Sequence, residues 1–158
     1  MHKIECRYQQ FDIIPEIEQV AIASFDRAQI KQVDIQLHLS PAKIMVNLDK
    51  IFLRYILSNL LFDVIRFIQN GSVLSIHAAD SEGMCIIEII NNATPIGKAQ
   101  LDQYFNRLTV PDLFALANTQ SGRGFSIAEK LTVEMDGVLT YKTELAIGNY
   151  FKLKFKLA

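Results

Sequence analysis

Asp49–Gln69, DKIFLRYILSNLLFDVIRFIQ, is the stretch that decides the fold prediction. It holds no proline or glycine, begins at an aspartate suited to cap a helix, and is followed by Asn70-Gly71, a common helix ending. At about 100° per residue its apolar side chains gather on one broad face, which consists of Leu53, Leu57, Leu60, Leu61, Val64, Ile65, Phe67 and Ile68. The stretch therefore predicts an amphipathic helix packed on a core.

A narrow polar stripe lies opposite this apolar face. It differs from the Lys/Glu mixture that usually coats a solvated helix, because it carries short polar groups and one cation: Tyr55, Asn59, Asp63, Arg66 and Asn70. Such a stripe suits a site for a charged ligand, and it also suits an ordinary surface face. The rest of the chain decides between these interpretations.

Composition indicates an ordinary globular protein. With 158 residues, half of them hydrophobic and 21% charged, residues 1–158 are expected to form one domain with a real core. A net charge of −1 gives no reason to expect a nucleic-acid partner. Cys6 and Cys85 are too few for a disulfide framework or a zinc site and predict reduced thiols. Without a membrane-length apolar run or a signal-peptide pattern, we expect a cytoplasmic domain that does not insert into membranes.

The pattern along the chain predicts an α+β fold. Extended residues 11–14 lead into a helix to about Arg27, a strand spans 32–39, and 44–46 forms a brief strand before the Asp49 helix. Two hairpins are expected, over 72–90 and 138–157, as well as a short helix near 100–108. We predict a two-layer α/β sandwich: a mixed, largely antiparallel sheet of about five strands, with three main helices on one face. The alternation in the last strand directs Lys152, Lys154 and Lys156 to solvent.

A glycine-spaced turn runs directly into the last predicted helix. Gln120–Phe125, QSGRGF, precedes a helix over 126–135. Gly122 and Gly124 allow bare backbone amides to approach an anion, where the helix dipole is also favourable. Turns of this kind also serve packing alone, so the turn by itself leaves both interpretations open.

The order of elements and two motifs resemble the ATP-binding domain of sensor histidine kinases, the GHKL sandwich shared with gyrase, Hsp90 and MutL. The segment 57–67, LSNLLFDVIRF, is similar to the family's N box, "LxNLxxNAxKF". The segment 121–127, SGRGFSI, is similar to the G2 box, "GxGLGLxI", and Phe11-Asp12 resembles the "FDL" that often opens the domain. The resemblance spans nearly the whole chain and implies the same fold.

The resemblance also implies a nucleotide site. Asn59 matches the first N-box asparagine and Arg66 the cation near the phosphates. Gly122 and Gly124, with Arg123 between them, match the end of the G2 box, whose amides lie against the triphosphate. The second N-box asparagine, which helps hold Mg²⁺ in the family, is replaced by Asp63, so that Asp63 and Asn59 are the implied metal ligands.

Several positions depart from the family pattern. The G1 box, usually "DxGxG", is Asn91-Asn92-Ala93-Thr94-Pro95 here, so the aspartate that accepts the adenine amino group is Asn91, a neutral acceptor through its amide oxygen. Both G1 glycines are lost to Ala93 and Pro95, and the first G2 glycine is Gln120. The segment 107–120, in the place of the ATP lid, is short.

The resemblance leads to three functional expectations. The favoured one is a degenerate two-component domain, with binding of ATP and Mg²⁺ weakened or lost, that works through a helical dimerisation and phosphotransfer domain or a response regulator. The first alternative is an active Mg-ATP-binding domain that phosphorylates a histidine on another domain. The second is an anti-sigma-factor-type serine kinase. His2, His38 and His77 lack the "HExR" context of the phosphoacceptor, so self-phosphorylation by the family's usual route is not expected.

Overall fold

The structure is a computed structural model that describes residues 5–105, 124–144 and 148–158. Its elements, in chain order, are β1 Gln9–Asp12, α1 Ile13–Ile30, β2 Asp34–Leu39, β3 Met45–Leu48, α2 Lys50–Phe67, β4 Val73–Ser81, β5 Met84–Asn91, α3 Lys98–Phe105, α4 Gly124–Glu134, β6 Val138–Glu144 and β7 Gly148–Lys156.

The main sheet has five strands in the order β2-β4-β5-β7-β6. Only its β2–β4 pair is parallel, and the other three pairs are antiparallel. Alternate side chains of the central strands are buried under the helices, among them Ile76, Ile87 and Leu153. The predicted α+β sandwich, with three long helices α1, α2 and α4 on the sheet and a short α3, is therefore confirmed.

The outer face of the sheet carries the lysines, as predicted. Lys152 and Lys154 are half-buried and Lys156 is exposed, whereas Phe151 and Phe155 between them are buried. The alternation of period 2 thus separates a core face from a wet face.

Elements near the amino-terminal end differ by a few residues from the sequence prediction. Ile13 and Ile14 were expected to be extended, but they form the first turn of α1, because the Asp12 side chain accepts the Ile14 N–H at 3.1 Å and caps the helix. The brief strand expected at 44–46 is β3, which pairs with β1 in a separate two-stranded sheet. Apolar periodicity does not reveal the cap, which is a local polar contact, and the pairing of β1 with β3 depends on contact between segments that are distant in sequence.

Helix α2 begins as predicted and ends early. Asp49 is the N-cap and accepts the Phe52 N–H at 3.0 Å, whereas the last helical residue is Phe67 and not Gln69. Lys31, just after α1, explains this end: its ammonium group donates to the carbonyls of Ile65, Arg66 and Ile68 at 2.9, 2.8 and 2.6 Å. A cation at the carboxyl end of a helix satisfies carbonyls that lack helical partners. Burial lowers the pKa of Lys31.

The β4–β5 hairpin turns at Glu82-Gly83, where both residues have positive φ, 51° and 78°. Two successive residues of this kind form the two-residue turn whose twist matches the strands. At the other end of the same hairpin, β5 ends at Asn91, and this end of the sheet carries the candidate site.

Candidate functional site

The polar stripe of α2 faces α4, and its two central residues are not on the surface. Asn59 and Asp63 are 4% and 1% exposed. Gly124, the first residue of α4, lies directly against them: a Cβ atom there would be 2.0 Å from the carbonyl oxygen of Asn59 and 3.0 Å from the carboxyl carbon of Asp63. The interpretation as an ordinary surface face is therefore wrong for Asn59 and Asp63. Three predicted site residues meet in one corner, which we call the α2–α4 corner (Asn59, Asp63, Gly124).

The Asp63 carboxylate binds the start of α4. Its Oδ2 accepts the backbone N–H of Phe125 at 3.1 Å, and its Oδ1 lies 3.5 Å from the Nη2 atom of Arg66. A carboxylate at the first turn satisfies a backbone donor that has no helical partner and offsets the positive end of the helix dipole. The corner thus places one negative charge where backbone amides point.

Arg66 lies at the rim of the corner. Its side chain is 41% exposed, and its guanidinium carbon stands 4.5 Å from the centre of the Phe67 ring. Contact with Asp63 and Phe67 holds the cation beside the corner without burying it. The position suits attraction of an anion that approaches α4.

The amide orientation of Asn59 is set within α2. Its Nδ2 donates to the carbonyl oxygen of Tyr55, one turn earlier, at 2.8 Å. This contact uses one N–H of the amide, and the Asn59 Oδ1 atom is buried in the corner. Together with the Asp63 carboxylate it forms a pair of oxygen donors one helical turn apart, which is the donor type that Mg²⁺ prefers. Within the described part of the chain, no cluster of three or more His, Cys, Asp or Glu side chains is arranged to hold a metal.

An aromatic stack connects the α2–α4 corner with the sheet. Phe125, which donates its N–H to Asp63, is fully buried, and its ring centre lies 5.8 Å from that of Phe67 and 5.3 Å from that of Phe151. Phe151 pairs in register with Ile89, and the next pair on the same face is Asn91 with Asn149. At roughly 3.3 Å per residue, this pair lies about 7 Å further along the strands.

The two asparagines, which we call the asparagine pair (Asn91, Asn149), fasten the loop after β5. Asn91 Oδ1 accepts the Ala93 N–H at 3.2 Å and the Asn149 Nδ2 at 2.9 Å. Asn149 Oδ1 accepts the Ile96 N–H at 2.8 Å, and its Nδ2 also reaches the Thr94 carbonyl at 3.3 Å. The loop at 92–97 is therefore held by side chains of the sheet, which accept from two of its backbone N–H groups, and its Asn92 N–H binds the Val73 carbonyl at 3.4 Å.

Gly148 belongs to the same contact. Its φ is +90°, and a Cβ there would lie 2.1 Å from the carbonyl oxygen of Asn91. Only glycine combines this backbone conformation with so close an approach. The start of β7 is thus pressed against the end of β5, which brings Asn149 next to Asn91.

Sequence reasoning missed Asn149 and Gly148, although one signal was present. Asn149 is in phase with the buried Phe151, Leu153 and Phe155, and Asn91 is in phase with Cys85, Ile87 and Ile89. A polar residue in the buried phase of a strand needs a hydrogen-bond partner, which here is the other asparagine. Gly122, Arg123 and the lid-like segment 107–120, by contrast, lie outside the described residues.

The outer face of the sheet has polar contacts of its own. The Tyr150 hydroxyl donates to Glu88, and burial together with this contact raises the pKa of Tyr150 to about 12. The rings of His38 and His77 stack with centres 4.6 Å apart, because the parallel register of β2 and β4 places them side by side. A depression of about 300 Å³ near β6 and β7 is lined by Lys142, Tyr150, Lys152 and their neighbours Thr140, Glu144 and Gly148. This face lies on the opposite side of the sheet from the helices.

The cysteines and the length of the helices complete the description of the chain. Both cysteines are free; Cys85 is fully buried, and burial raises its pKa to about 12, so the thiol is held neutral. In the described ranges, no helix combines the length and the apolar character that a membrane span requires.

Comparison with known proteins gives one family and one fold. The family model for histidine kinase-, DNA gyrase B- and HSP90-like ATPases matches residues 48–158, which include both the α2–α4 corner and the asparagine pair. Comparison with curated proteins finds no significant match.

Several solved structures share the fold. The catalytic domain of histidine kinase ThkA, in a nucleotide-free form, is 16% identical with a TM-score of 0.76, over 95% of this chain and 96% of that one. Full-length ShkA in complex with AMPPNP is 21% identical with a TM-score of 0.80, over 99% of this chain and 32% of that one. Histidine kinase ThkA in complex with the response regulator protein TrrA is 16% identical with a TM-score of 0.77, over 97% and 42%. At these identities the likeness establishes the fold.

Proposed function

Because the chain belongs to the family of histidine kinase-, DNA gyrase B- and HSP90-like ATPases, we propose that it is the nucleotide-binding domain of a two-component system and that its affinity for ATP is weakened. It works through a separate partner, which is a helical dimerisation and phosphotransfer domain or a response regulator. The observation that carries the proposal is the α2–α4 corner, where Gly124 leaves room only for backbone beside Asn59 and Asp63.

The corner fits the phosphate and metal end of a nucleotide. Asp63 and Asn59 supply the two oxygens that would hold Mg²⁺, and Arg66 adds a cation at the rim. We also propose that the backbone amides of Gly122, Arg123 and Gly124 face the phosphates. Mg²⁺ bound there would neutralise phosphate charge during transfer. The chain's own residues would position the nucleotide and contribute to neutralising the charge of its phosphates.

The other end of the site accounts for the weakened binding. Asn91 replaces a charged acceptor by a neutral amide, and its oxygen already accepts from Ala93 and Asn149. The Ile96 N–H is bound to Asn149, and Pro95 has no N–H to offer. The loop thus has few groups left for a base, and the loss of one charge-assisted hydrogen bond alone costs about 1 kcal/mol or more.

Two features support a partner in signalling. The chain matches the family model that includes histidine kinases. Histidine kinase ThkA, which shares the fold of this chain, was solved in complex with a response regulator. None of the three histidines of this chain has the sequence context of a phosphoacceptor. We propose that the domain acts on a histidine that another domain supplies.

Calorimetric titration of Mg-ATP tests the proposal. We expect affinity in the upper micromolar range or weaker for the unmodified chain, and an improvement of about 5- to 10-fold in Asn91→Asp, which restores the charged acceptor. Asn92→Asp is the matched control: it adds the same charge at the next residue, which is exposed and whose side chain accepts the Val73 N–H.

Low-micromolar affinity of the unmodified chain for Mg-ATP contradicts the weakened site and supports the active alternative. That alternative has its own basis in the structure, because the α2–α4 corner retains Asn59, a Mg²⁺-capable Asp63 and the close glycine. An equal gain in Asn91→Asp and Asn92→Asp would show that added charge, and not the acceptor at residue 91, governs affinity.

A further inference from the structure

The orientation of the Asn91 amide is fixed by backbone groups. A backbone N–H only donates, so the atom of Asn91 that faces the Ala93 N–H is the oxygen. In the same way, the Ile96 N–H fixes the oxygen of Asn149, which turns the Asn149 nitrogen toward Asn91. Two backbone donors thus determine both amides, and exchange of oxygen and nitrogen in either one would bring two donors face to face.

The asparagine pair leaves one donor group unused. Both lone pairs of Asn91 Oδ1 are engaged, by Ala93 and Asn149. Asn91 Nδ2 has no hydrogen-bond partner in the described part of the chain, although the residue is only 1% exposed. A buried amide nitrogen without a partner is costly, and the group that relieves it must be an acceptor.

The surroundings of Asn91 Nδ2 are apolar, as the edge and faces of a heterocycle require. Asn91 points to the helix face of the sheet, one residue pair beyond Phe151, which stacks on Phe125 of the α2–α4 corner. Its neighbours Leu74, Ala93 and Ile96 are apolar and buried. A ligand that extends from the corner to the asparagine pair therefore has an anionic end and, at the other end, a ring with an acceptor atom.

We infer that Asn91 Nδ2 donates to a carbonyl oxygen of the base, so that the domain prefers a 6-oxopurine nucleoside triphosphate to ATP. The inference rests on the proposed function for the nucleotide at the site, and it goes beyond it in the choice of base. The base is oriented as the proposed function implies, with residue 91 facing position 6 of the purine, where adenine carries an amino donor that would face the Asn91 donor. Inosine and guanosine nucleotides carry an oxygen at the same place, and this oxygen completes the hydrogen bond.

Titration of the unmodified chain with Mg-ITP, Mg-GTP and Mg-ATP tests the inference. ITP is the sharpest probe, because it shares the ring of ATP apart from the oxygen at position 6 and its ring N–H. We expect ITP to bind about 10-fold more tightly than ATP, or better, since one buried hydrogen bond separates them. Comparison of GTP with ITP then measures the effect of the 2-amino group.

The variant Asn91→Asp replaces the donor by an acceptor of the same shape and is expected to reverse the preference, with ATP at least as tight as ITP. Asn92→Asp is the control and keeps the order of the unmodified chain. Equal or tighter binding of ATP than of ITP by the unmodified chain overturns the inference, whether or not ATP is weak. Failure of all three nucleotides to bind at millimolar concentration also overturns it.

The same titrations separate this inference from the proposed function. Weak ATP with no gain for ITP refutes the base preference and leaves the weakened domain standing. Low-micromolar ATP together with still tighter ITP refutes the weakening and supports the base preference. Low-micromolar ATP that exceeds ITP refutes both.

Discussion

Helix α2 is held on its two sides by different kinds of contact. Toward α1, long charged side chains meet: Arg54 contacts Glu16 with two atoms, Nε to Oε2 at 2.7 Å and Nη2 to Oε1 at 3.3 Å, and the Lys50 Nζ lies 3.6 Å from Oε1. Toward α4, backbone meets backbone, because Gly124 lies against the Asn59 carbonyl.

The difference determines what each contact tolerates. Arg54 is half exposed and has several rotatable bonds, so the α1 side can shift and keep its ion pair. At Gly124 there is no side chain to rotate, and any displacement changes the distance between helix backbones directly. The α1 side therefore supplies adjustable stability, and the α4 side supplies the fixed geometry on which the proposed site depends.

The largest expected effect comes from Gly124→Ala. The added methyl group would lie 2.0 Å from a backbone oxygen, so α4 must move away from α2, at a cost of about 3 kcal/mol. For a chain of this size we expect thermal denaturation, followed by circular dichroism, to show a Tm lower by roughly 6–12 °C.

Gly97→Ala is the matched control for that variant. A Cβ at Gly97 meets no atom within 4 Å, so the same added methyl group should leave Tm nearly unchanged. If both alanine variants melt like the unmodified chain, the α2–α4 contact is not fixed and the comparison fails.

A smaller effect is expected at Asp63, where two substitutions separate its roles. Asp63→Ala leaves the buried Phe125 N–H without its acceptor and should destabilise the domain by about 2 kcal/mol. Asp63→Asn keeps an acceptor of the same shape and should cost less than half as much. Urea denaturation in the presence of EDTA measures both, and EDTA excludes any contribution from bound metal. Equal stability of Asp63→Ala and the unmodified chain would show that the contact with the Phe125 N–H does not stabilise the domain.

The smallest effect is expected on the α1 side, and it depends on pH. The hydrogen bond from Arg54 holds the pKa of Glu16 below its usual value, against the opposing effect of burial. A carboxyl group with a lowered folded pKa stabilises the protein above its unfolded pKa, about 4.3, and this contribution disappears as pH falls through the folded value.

Arg54→Ala should therefore lower the free energy of unfolding by about 1 kcal/mol at pH 7, and by progressively less below about pH 4. The effect is small because half of the Arg54 side chain is exposed and water screens the ion pair. Urea denaturation at a series of pH values measures the difference between variant and unmodified chain. Lys43→Ala, at an exposed lysine, is the control and should show no such trend. A difference that stays constant down to pH 3 would show that Arg54 acts by packing and not through Glu16.

Periodicity alone carried most of the fold. The helical pattern of 49–69 placed α2 with its Asp49 cap, and the alternation in β7 assigned its buried and wet faces. Periodicity could not predict the pairing of β1 with β3 or the stacking of His38 on His77, because both arise from register between segments that are distant in sequence. Local pattern specifies which face a residue takes, and tertiary packing specifies its neighbour.

The candidate site was partly within reach of the sequence. Asn59, Asp63 and Gly124 were placed in one site by resemblance, and the structure brings them together. The direction of the Asn91 amide was not predictable, because it depends on Asn149, 58 positions later in the chain, and on two loop N–H groups. A residue type names the possible donors and acceptors, whereas only the network shows which of them are already used.

Lys31 links the ends of two helices that are distant in sequence. Its ammonium group joins the end of α1 to the last carbonyls of α2, across 34 to 37 positions. Local unfolding of either helix end breaks hydrogen bonds at the other end. We therefore expect the two ends to unfold together, as one cooperative unit, in hydrogen exchange of the native protein. Because α2 carries Asn59 and Asp63, the local stability of the candidate site depends in part on Lys31, a residue outside α2.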